Sequence, residues 1–589
     1  MKKFKLTLIA LIVLVTSCND DILNEVPLSS FSPEINFQSI EGANLALNGT
    51  YWGLLDTWNL DYVMIGEAGT DVSRVPADAP PFEISNYKAT PAHPFLKRIW
   101  ERTYNGIYRC NVVIDRASVM TAGKESERQA IIAEAKTVRA MYYFDLVNFW
   151  DNPPLVIKEF AEDVTPSNSN PQEIFIQIIE DLKYGEQFGK NPDGNLGRAN
   201  KGVAKSLLAK VYLYIASEYW KDKVTISGNA YQLAADKADE VINSGWYTLQ
   251  TTNSSRPDED YGNNFLKSKQ GGCPELIMPI NFSTTVWKPT KFGQWSAPRA
   301  VPSGFDPRNN KYFYHAEAGW VSPTGMFSMS FHEGDIRFQW NITPVLYRPT
   351  TASTEDLPAW MPGKWRSEEA IGWGSGMAPT YLRLADMYLI KAEALNGANN
   401  GPTAEAYLAL NMIRNRAHVP EIDEAYLNAS NPHPNPNLLW GMQTDQYLAD
   451  SNDATYPGRH VYYTGGFINY PSLKDKFNAA ILTERAWEFC FERQRFMDLK
   501  RTKMLENVIK EDRFKWVQGL KLKNEHALKD PYTNLGENFI AFPVLSTQNG
   551  GLGNFIWSVP NFSADTHYRF PIPQSERDAN TALDQNFGY

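Results

Sequence analysis

Three glutamates at helical spacing are the strongest candidates for acid–base chemistry. Glu484, Glu488 and Glu492 follow one another at intervals of four in LTERAWEFCFERQRFMDLKR at 482–501, so in a helix they share one face. A glycosidase needs two carboxyl groups about 5–10 Å apart. Three arginines interleave with the glutamates, as in a structural ion network: Arg485, Arg493 and Arg495. The pattern therefore favours ion pairing over catalysis.

Other motifs that carry chemistry are missing from the sequence. No GxxxxGK[ST], GxGxxG, HExxH or CxxC pattern occurs, and GWGSGM at 372–377 lacks the GxSxG spacing of a nucleophile elbow. The eight histidines are scattered, and nothing marks a calcium-binding EF-hand. The sequence predicts no catalytic residue, no cofactor and no metal site.

Hydrophobic periodicity predicts the elements that position these groups. Apolar residues recur at intervals of three and four, as on one helix face, within 131–149, 204–215, 384–395 and 482–496. A short Gly/Asn loop near 397–401 connects two helical segments into a hairpin. No strict 34-residue repeat is present. The sequence predicts a mainly α-helical protein.

One charged residue lies on an otherwise apolar helical stripe. Arg493 follows Ala486 and Phe489 at helical spacing. Burying a guanidinium is costly unless a carboxylate or several carbonyl groups surround it. Glu393 and Glu488 are the candidate partners, and we interpret these charges as specifying the fold.

Two long stretches lack a helical period. Residues 251–375 are rich in Gly, Pro, Ser and Thr, and residues 420–475 contain NPHPNPN. Loops of such length in a compact protein usually carry function. We expect a helical scaffold over about 36–250, 376–419 and 476–505 that carries these two loop-rich insertions.

The first residues have the pattern of a lipoprotein signal. A basic start at 2–5 precedes LTLIALIVLV at 6–15, which rises only about 15 Å as a helix and is too short to span a bilayer. VTSC at 15–18 resembles the bacterial lipobox, where the chain is cleaved before a cysteine that is then lipidated. The sequence predicts a signal peptide at 1–17 and lipidation at Cys18.

The residues after Cys18 indicate where the protein is held. NDD at 19–21 resembles the surface-export signal of lipoproteins in the Bacteroidetes. We expect residues 18–35 to form a lipidated tether that holds the protein on the outer membrane, facing the cell exterior, without a membrane-spanning segment.

Composition excludes some functions and favours others. The formal net charge is −10, which argues against nucleic acid as a partner. Besides Cys18 the chain has an odd set of three cysteines, so no disulfide framework is expected: Cys110, Cys273 and Cys490. The chain has 17 Trp, 29 Tyr and 30 Phe, more than a core alone usually needs.

Six segments together resemble the SusD/RagB family of outer-membrane glycan-binding lipoproteins. In chain order they are RAMYYFDLVNFWDNPPLV (139–156), GRANKGVAKSLLAKVYLY (197–214), YLRLADMYLIKAEALNG (381–397), ALNMIRNRA (409–417), ERAWEFCFERQRFMDLKR (484–501) and YRFPIPQSERDANTALDQNFGY (568–589). The resemblance implies a single domain over 36–589, with a C-terminal family segment at about 506–589. The implied fold is a TPR-like right-handed helical scaffold with long irregular loop insertions.

The resemblance also implies a function and partners. A SusD-like protein captures an oligosaccharide or polysaccharide without cleaving it. It delivers the glycan to a TonB-dependent outer-membrane transporter, over which it sits as a lid.

A cluster of tryptophans is the main clue to a glycan site. Seven lie in the loop-like stretch between 287 and 373: Trp287, Trp295, Trp320, Trp340, Trp360, Trp365 and Trp373. Covering one sugar face with an indole ring removes about 60–80 Å² from water, worth about 1.5–2 kcal/mol. Four other tryptophans fall on helical stripes and are expected in the core: Trp100, Trp150, Trp220 and Trp487.

The expected glycan site combines two segments. In the family it typically joins the loop after the first helix to the central insertion, here 71–95 and 285–345. The candidate contacts are Asp71, Arg74, Tyr87, Trp287, Trp295, Tyr314, Trp320 and Trp340, and Phe82 lies in the first segment. They are chosen by residue type, since no family motif covers these loops.

Two other functions remain open. A RagB-like lid would capture a peptide, which needs backbone donors and a carboxylate-binding group more than broad aromatic faces. A glycoside hydrolase on a helical scaffold is the second alternative. The tryptophan excess favours sugar over peptide, and the interleaved arginines argue against the hydrolase.

Overall fold

The structure is a computed structural model. It describes residues 36–59, 61–75, 79–159, 165–194, 196–282, 304–305, 313–314, 320–324, 327, 331–332, 334–348, 353–364, 370–371, 374–428, 470–510 and 561–589. Cys18, the predicted signal peptide and the predicted tether lie outside these residues, and the predicted domain limits stay predictions.

Helices dominate the first half of the chain. They are α1 (Ile40–Thr50), α2 (Trp52–Trp58), α3 (Asp61–Glu67), α4 (Phe82–Ser85), α5 (Pro94–Val119), α6 (Glu125–Trp150), α7 (Pro171–Phe188), α8 (Lys201–Ala216), α9 (Ala230–Ile242), α10 (Pro257–Gly262) and α11 (Lys267–Gln270). Polar side chains cap the helix starts: Asn170 caps α7, Asn200 caps α8 and Asn229 caps α9.

Further helices are described from Ile336 onward. They are α12 (Ile336–Asn341), α13 (Leu384–Ala398), α14 (Ala404–Arg416), α15 (Glu424–Asn428), α16 (Leu473–Phe489), α17 (Arg495–Arg501), α18 (Leu505–Lys510), α19 (Ala564–His567) and α20 (Gln574–Ala579). The prediction of a mainly α-helical protein is confirmed.

The long helices stack in chain order. Each of α5 to α8 packs against the next, α9 packs against α13, and α13 packs against α14 and α16. This succession of neighbouring helices is the arrangement of a TPR-like stack. The four tryptophans predicted for the core are buried, with 0–4% of their surface exposed.

Short strands form inside and beside the predicted 251–375 insertion. They are β1 (Ser73–Arg74), β2 (Leu276–Pro279), β3 (Gly304–Phe305), β4 (Phe313–Tyr314), β5 (Ser322–Pro323), β6 (Ile342–Arg348), β7 (Ser353–Pro362), β8 (Ala370–Ile371), β9 (Gly374–Ser375) and β10 (Thr380–Arg383). The described strands pair as β1–β5, β2–β10, β8–β9 and a sheet ordered β4-β3-β6-β7. β6 and β7 pair antiparallel as a hairpin. Pro344 in β6 and Pro358 in β7 interrupt the strand pattern of the sequence, so the sequence does not predict this hairpin.

The periodic stripe at 482–496 does not form one helix. α16 ends at Phe489 and α17 begins at Arg495. Between them Phe491 and Arg493 have φ of 63° and 70°, a conformation that ends a helix. The turn carries Arg493 away from the α16 stripe and into the stack.

Candidate functional site

The two segments expected to form the site meet as a pair of strands. β1 pairs antiparallel with β5, with Ser73 opposite Pro323 and Arg74 opposite Ser322. The Thr324 amide donates to the Val72 carbonyl at 2.9 Å, and the Thr324 hydroxyl donates to the Asp71 carbonyl. We call residues 72–74 with residues 320–324 the β1–β5 junction.

Asp71, next to the junction in sequence, connects it to Arg495 of α17. Both carboxylate oxygens of Asp71 accept from Arg495, at 2.8 Å from Nε and 2.5 Å from Nη2. Asp71 is 4% exposed, so the pair is shielded from solvent. This arrangement gives Asp71 a structural role in place of the expected glycan contact, because its carboxylate is already engaged by a buried guanidinium.

Tyr87 is also placed in the core. Its ring packs edge-on against Phe562, with centroids 4.9 Å apart, and its hydroxyl donates to the Gly69 carbonyl at 2.8 Å. With 7% of its surface exposed, Tyr87 supports the segment that leads into β1. It presents no open ring face to a sugar, which corrects the expectation for this residue.

Trp340 is the third candidate that is buried. It lies in α12 with 1% of its surface exposed and belongs to a small apolar cluster with Tyr261, Phe265, Leu266 and Ile336. Its ring packs so closely on Gly262 that a Cβ there would lie 2.5 Å from the indole. Trp340 therefore joins α12 to α10, and its expected role as a glycan contact is corrected.

Trp320 lies in the junction and stays a predicted glycan contact. It begins the junction, is half-buried and packs one side against the core. Arg74 lies in β1 and Tyr314 in β4. Trp287 and Trp295 lie outside the described residues. Phe82, at the start of α4, is half-buried.

Glu67 lies beneath the junction and was missed by the sequence analysis. It ends α3, and the next residue, Ala68, forms a bridge with Ser73 of β1. Glu67 is fully buried, and burial raises the pKa of its carboxyl to about 8. The signal in the sequence was a lone acid in the apolar run YVMIGEAG at 62–69.

The three glutamates at helical spacing are all buried in ion pairs. Glu484 accepts from Arg337 at 2.5 Å and from Arg414 at 2.7 Å. Glu488 pairs with three arginines: Arg337, Arg383 and Arg416. Glu492 accepts from Lys364 at 2.6 Å. The predicted ion network is confirmed, with partners outside helix α16.

The interleaved arginines have other partners. Arg493 makes a two-pronged pair with Asp145 at 2.7 and 2.8 Å, so the requirement for a carboxylate is confirmed but the proposed partners, Glu393 and Glu488, are wrong. Glu393 pairs instead with Arg501, and Arg485 pairs with Asp386 at 2.7 Å and Asp498 at 2.8 Å.

Burial and neighbouring charge set the titration of this network. Burial opposes ionisation of Glu488, but Arg416, Arg383 and Arg337 outweigh it and hold the pKa of its carboxyl well below the ordinary value. A carboxylate kept ionised in this way cannot act as a general acid at neutral pH. Within the described residues, no three His, Cys, Asp or Glu side chains are grouped to hold a metal ion.

No described helix is both long and apolar enough to cross a bilayer.

Comparison with known proteins gives the family. The SusD family matches residues 287–589, and a family described as starch-binding and associating with the outer membrane matches residues 81–213. SusD-like protein P2 of Formosa agariphila is 24% identical over 538 residues, which cover 86% of this chain and 91% of that protein.

Solved structures give the same fold. The crystal structure of a SusD superfamily protein from Parabacteroides distasonis has a TM-score of 0.64 at 21% identity, covering 93% of this chain and 99% of that one. A laminarin binding SusD-like protein has a TM-score of 0.63 at 20% identity, with the same coverage of 93% and 99%. Since the SusD family match spans more than half of the sequence, the chain belongs to the SusD family.

Proposed function

We propose that the protein is a glycan-binding lipoprotein of the cell surface. It captures an oligosaccharide or polysaccharide and delivers it to a TonB-dependent outer-membrane transporter, without cleaving it. Membership of the SusD family and the likeness to a laminarin binding SusD-like protein support this function. The lipobox-like VTSC at 15–18 supports attachment through a lipid on Cys18.

The β1–β5 junction is the observation that carries the proposal. It joins the first loop segment to the tryptophan-rich insertion, so side chains from both can contact one ligand. Trp320 is half-buried there, which leaves part of an indole to cover a sugar face. Arg74, a candidate contact chosen by residue type, belongs to β1.

Buried ion pairs support binding without catalysis. The carboxylates spaced for a glycosidase, Glu484, Glu488 and Glu492, are each held by cations and are 0–3% exposed. A glycosidase needs one carboxyl that carries a proton and another that reaches the substrate. The three glutamates are too buried to reach a substrate, and the arginines around Glu488 hold the pKa of its carboxyl well below the ordinary value.

Glycan binding by tryptophan variants tests the proposal. The purified protein should bind at least one polysaccharide in affinity electrophoresis or calorimetry. Trp320→Ala should weaken that binding by more than about 1 kcal/mol, because it removes a stacking face. Trp287→Ala and Trp295→Ala should do the same if their rings contact the glycan.

The matched control is Trp246→Ala. Trp246 is also half-buried but follows α9 on the helical stack, so its loss should leave glycan affinity unchanged. Glycan binding that no tryptophan change weakens would contradict the stacking model. Binding of peptides instead of glycans would favour a RagB-like lid, and new reducing ends after incubation would show a hydrolase.

A further inference from the structure

A cluster of cations surrounds one carboxylate where four elements meet. Asp151 follows α6, and its oxygens lie 2.6 Å from Lys500 Nζ, 3.3 Å from Lys223 Nζ and 3.5 Å from Arg569 Nη1. The Tyr219 hydroxyl donates to Asp151 at 2.5 Å. Lys500 belongs to α17, while Lys223 follows α8 and Arg569 follows α19.

Counted over the described residues, this cluster carries a surplus of positive charge. Three cations contact a single carboxylate, and Lys503 adds a fourth positive charge close to Lys223. The larger buried networks are balanced: Asp386, Asp498 and Glu393, for example, pair with Lys210, Arg485 and Arg501. Other acids lie nearby, since Asp222 precedes Lys223 in the sequence and Glu506 lies beside Tyr568. The surplus stands out in a chain of net charge −10.

The cations range from buried to exposed. The side chain of Lys500 is 0% exposed, whereas those of Arg569 and Lys223 are 20% and 37% exposed. The Lys223 ammonium lies 3.5 Å above the Tyr219 ring. Among the described residues, Arg569 Nε has no acceptor. Asp151 contacts the two outer cations only at 3.3 and 3.5 Å, and Arg569 Nη2 also donates to the Asp565 carbonyl.

We propose that Lys223 and Arg569 bind a small oxyanion, a sulfate or carboxylate group, at the surface of the Asp151 cluster. The anion offsets the surplus charge and supplies acceptors that Asp151 alone does not provide. The group comes from a free ion or from an acidic substituent of a polysaccharide. The site is separate from the β1–β5 junction and does not depend on glycan binding there.

The titration of Lys500 supports this arrangement. Burial lowers the pKa of its ammonium to about 8, and Lys223 and Arg569 add to the lowering while Asp151 opposes it. Above that pH the cluster loses one positive charge. The affinity for the oxyanion should therefore be higher at pH 7 than at pH 9.

Calorimetric titration of sodium sulfate into the purified protein, in chloride buffer of matched ionic strength, tests the site. Saturable binding is expected, and Lys223→Ala should weaken it about tenfold, since a charge-assisted hydrogen bond is lost. Lys223→Arg should restore most of the affinity. Lys221→Ala is the matched control, because Lys221 is exposed on the same turn and paired with Glu218.

Two results would overturn the proposal. One is the absence of saturable sulfate binding below about 10 mM, a concentration that corresponds to very weak affinity. The other is equal sulfate binding by the original protein and Lys223→Ala, with both shown to be folded by thermal unfolding. A sulfated or uronate-containing oligosaccharide, compared with its neutral counterpart, then identifies the source of the oxyanion. Tighter binding of the acidic sugar that is lost in Lys223→Ala assigns the site to the polysaccharide, and binding of sulfate alone assigns it to a free ion.

Discussion

Burial of Glu67 has a cost that depends on pH. The carboxyl has a pKa of about 8 in the folded chain against an ordinary 4.5, so the folded state binds its proton more tightly than the unfolded state. Between these values the unfolded chain releases the proton first. The contribution of Glu67 to stability therefore falls as pH rises from about 4.5 to about 8.

Glu67→Gln should remove this pH dependence. The amide has nearly the same shape and cannot ionise, so the variant should be more stable than the original protein at pH 8, by up to about 4 kcal/mol. Urea unfolding at pH 5, 6.5 and 8 measures the difference. Glu83→Gln, on the exposed side of α4, should leave the profile unchanged. A gap between Glu67→Gln and the original protein that is constant across pH would contradict this account.

Arg493 is held by one carboxylate and several rings. It pairs with Asp145 at 2.7 and 2.8 Å, and its guanidinium lies 4.2 Å above the Trp58 ring. Arg493→Met should destabilise the protein by about 3–5 kcal/mol, because Asp145 would be left buried without its cation. Denaturant unfolding measures the loss.

Two variants separate this charge effect from lost packing. Adding Asp145→Asn to Arg493→Met should recover part of the stability, since the orphan charge disappears. Arg109→Met, at an exposed arginine of α5, should cost less than about 0.5 kcal/mol. If the double variant were no more stable than Arg493→Met, the lost stability would belong to packing.

At the residue level, the sequence shows that a buried charge requires an ion-pair partner, but it does not show which residue that partner is. That Arg493 requires a carboxylate follows from its place among apolar residues. That the carboxylate is Asp145, 348 positions away, depends on how the helices stack, which no local pattern encodes. For the same reason the sequence predicts Asp71 as a glycan contact, and nothing local marks its ion pair with Arg495, 424 positions away.

Among the elements, Glu488 connects the insertion to the helical stack. It lies in α16 and pairs with Arg337 of α12, Arg383 of β10 and Arg416 of α14. The Glu488 carbonyl also accepts from Lys364 at 2.7 Å. Glu488 therefore helps to position α12 and the start of β6, together with Glu484 and Asp335, which also pair with Arg337.

Glu488→Gln should loosen α12 as well as destabilise the whole protein. Three buried guanidinium groups would lose their shared charge partner, at a cost of about 3–5 kcal/mol. Amide hydrogen exchange should rise most in Ile336–Asn341. Glu240→Gln removes a pair that is 41% exposed on the acid side and should cost no more than about 1 kcal/mol. Uniform exchange changes throughout the chain would argue against a local connection.

Helices could be predicted better than the insertion. A 26-residue segment such as α6 repeats its period often enough to be recognised. β1 and β5 have two residues each, too few to show alternation, and they pair across roughly 250 positions. Trp340 lies in a six-residue helix within a loop-like composition, so nothing in the sequence marked it as a core residue.

In the whole molecule, early acids are paired with late cations. Asp71, Asp145 and Asp151 from the first helices meet Arg495, Arg493 and Lys500, all within an eight-residue stretch. The first 250 residues therefore lack cations that their buried aspartates require. Their packing requires a segment that is distant in the chain.

A fragment of residues 36–282 should not fold cooperatively. It contains Asp71 and Asp145 without their arginines, and an unpaired buried charge costs several kcal/mol. Asp151 keeps Lys223 in the fragment but loses Lys500. Thermal unfolding followed by near-ultraviolet circular dichroism should show no sharp transition. Replacing Asp71, Asp145 and Asp151 with Asn in the fragment should restore part of the cooperativity. A transition in the original fragment equal to that of the full chain would contradict the dependence.

The three buried cysteines can report local unfolding of the protein through their reaction with thiol reagents. Cys110 lies in α5, Cys273 precedes β2 and Cys490 follows α16. Burial raises the pKa of the Cys273 and Cys490 thiols to about 12, so almost no thiolate exists at neutral pH. An alkylating reagent can react with each thiol only when local unfolding exposes it to solvent. The labelling rate at each cysteine therefore measures how often that part of the protein opens.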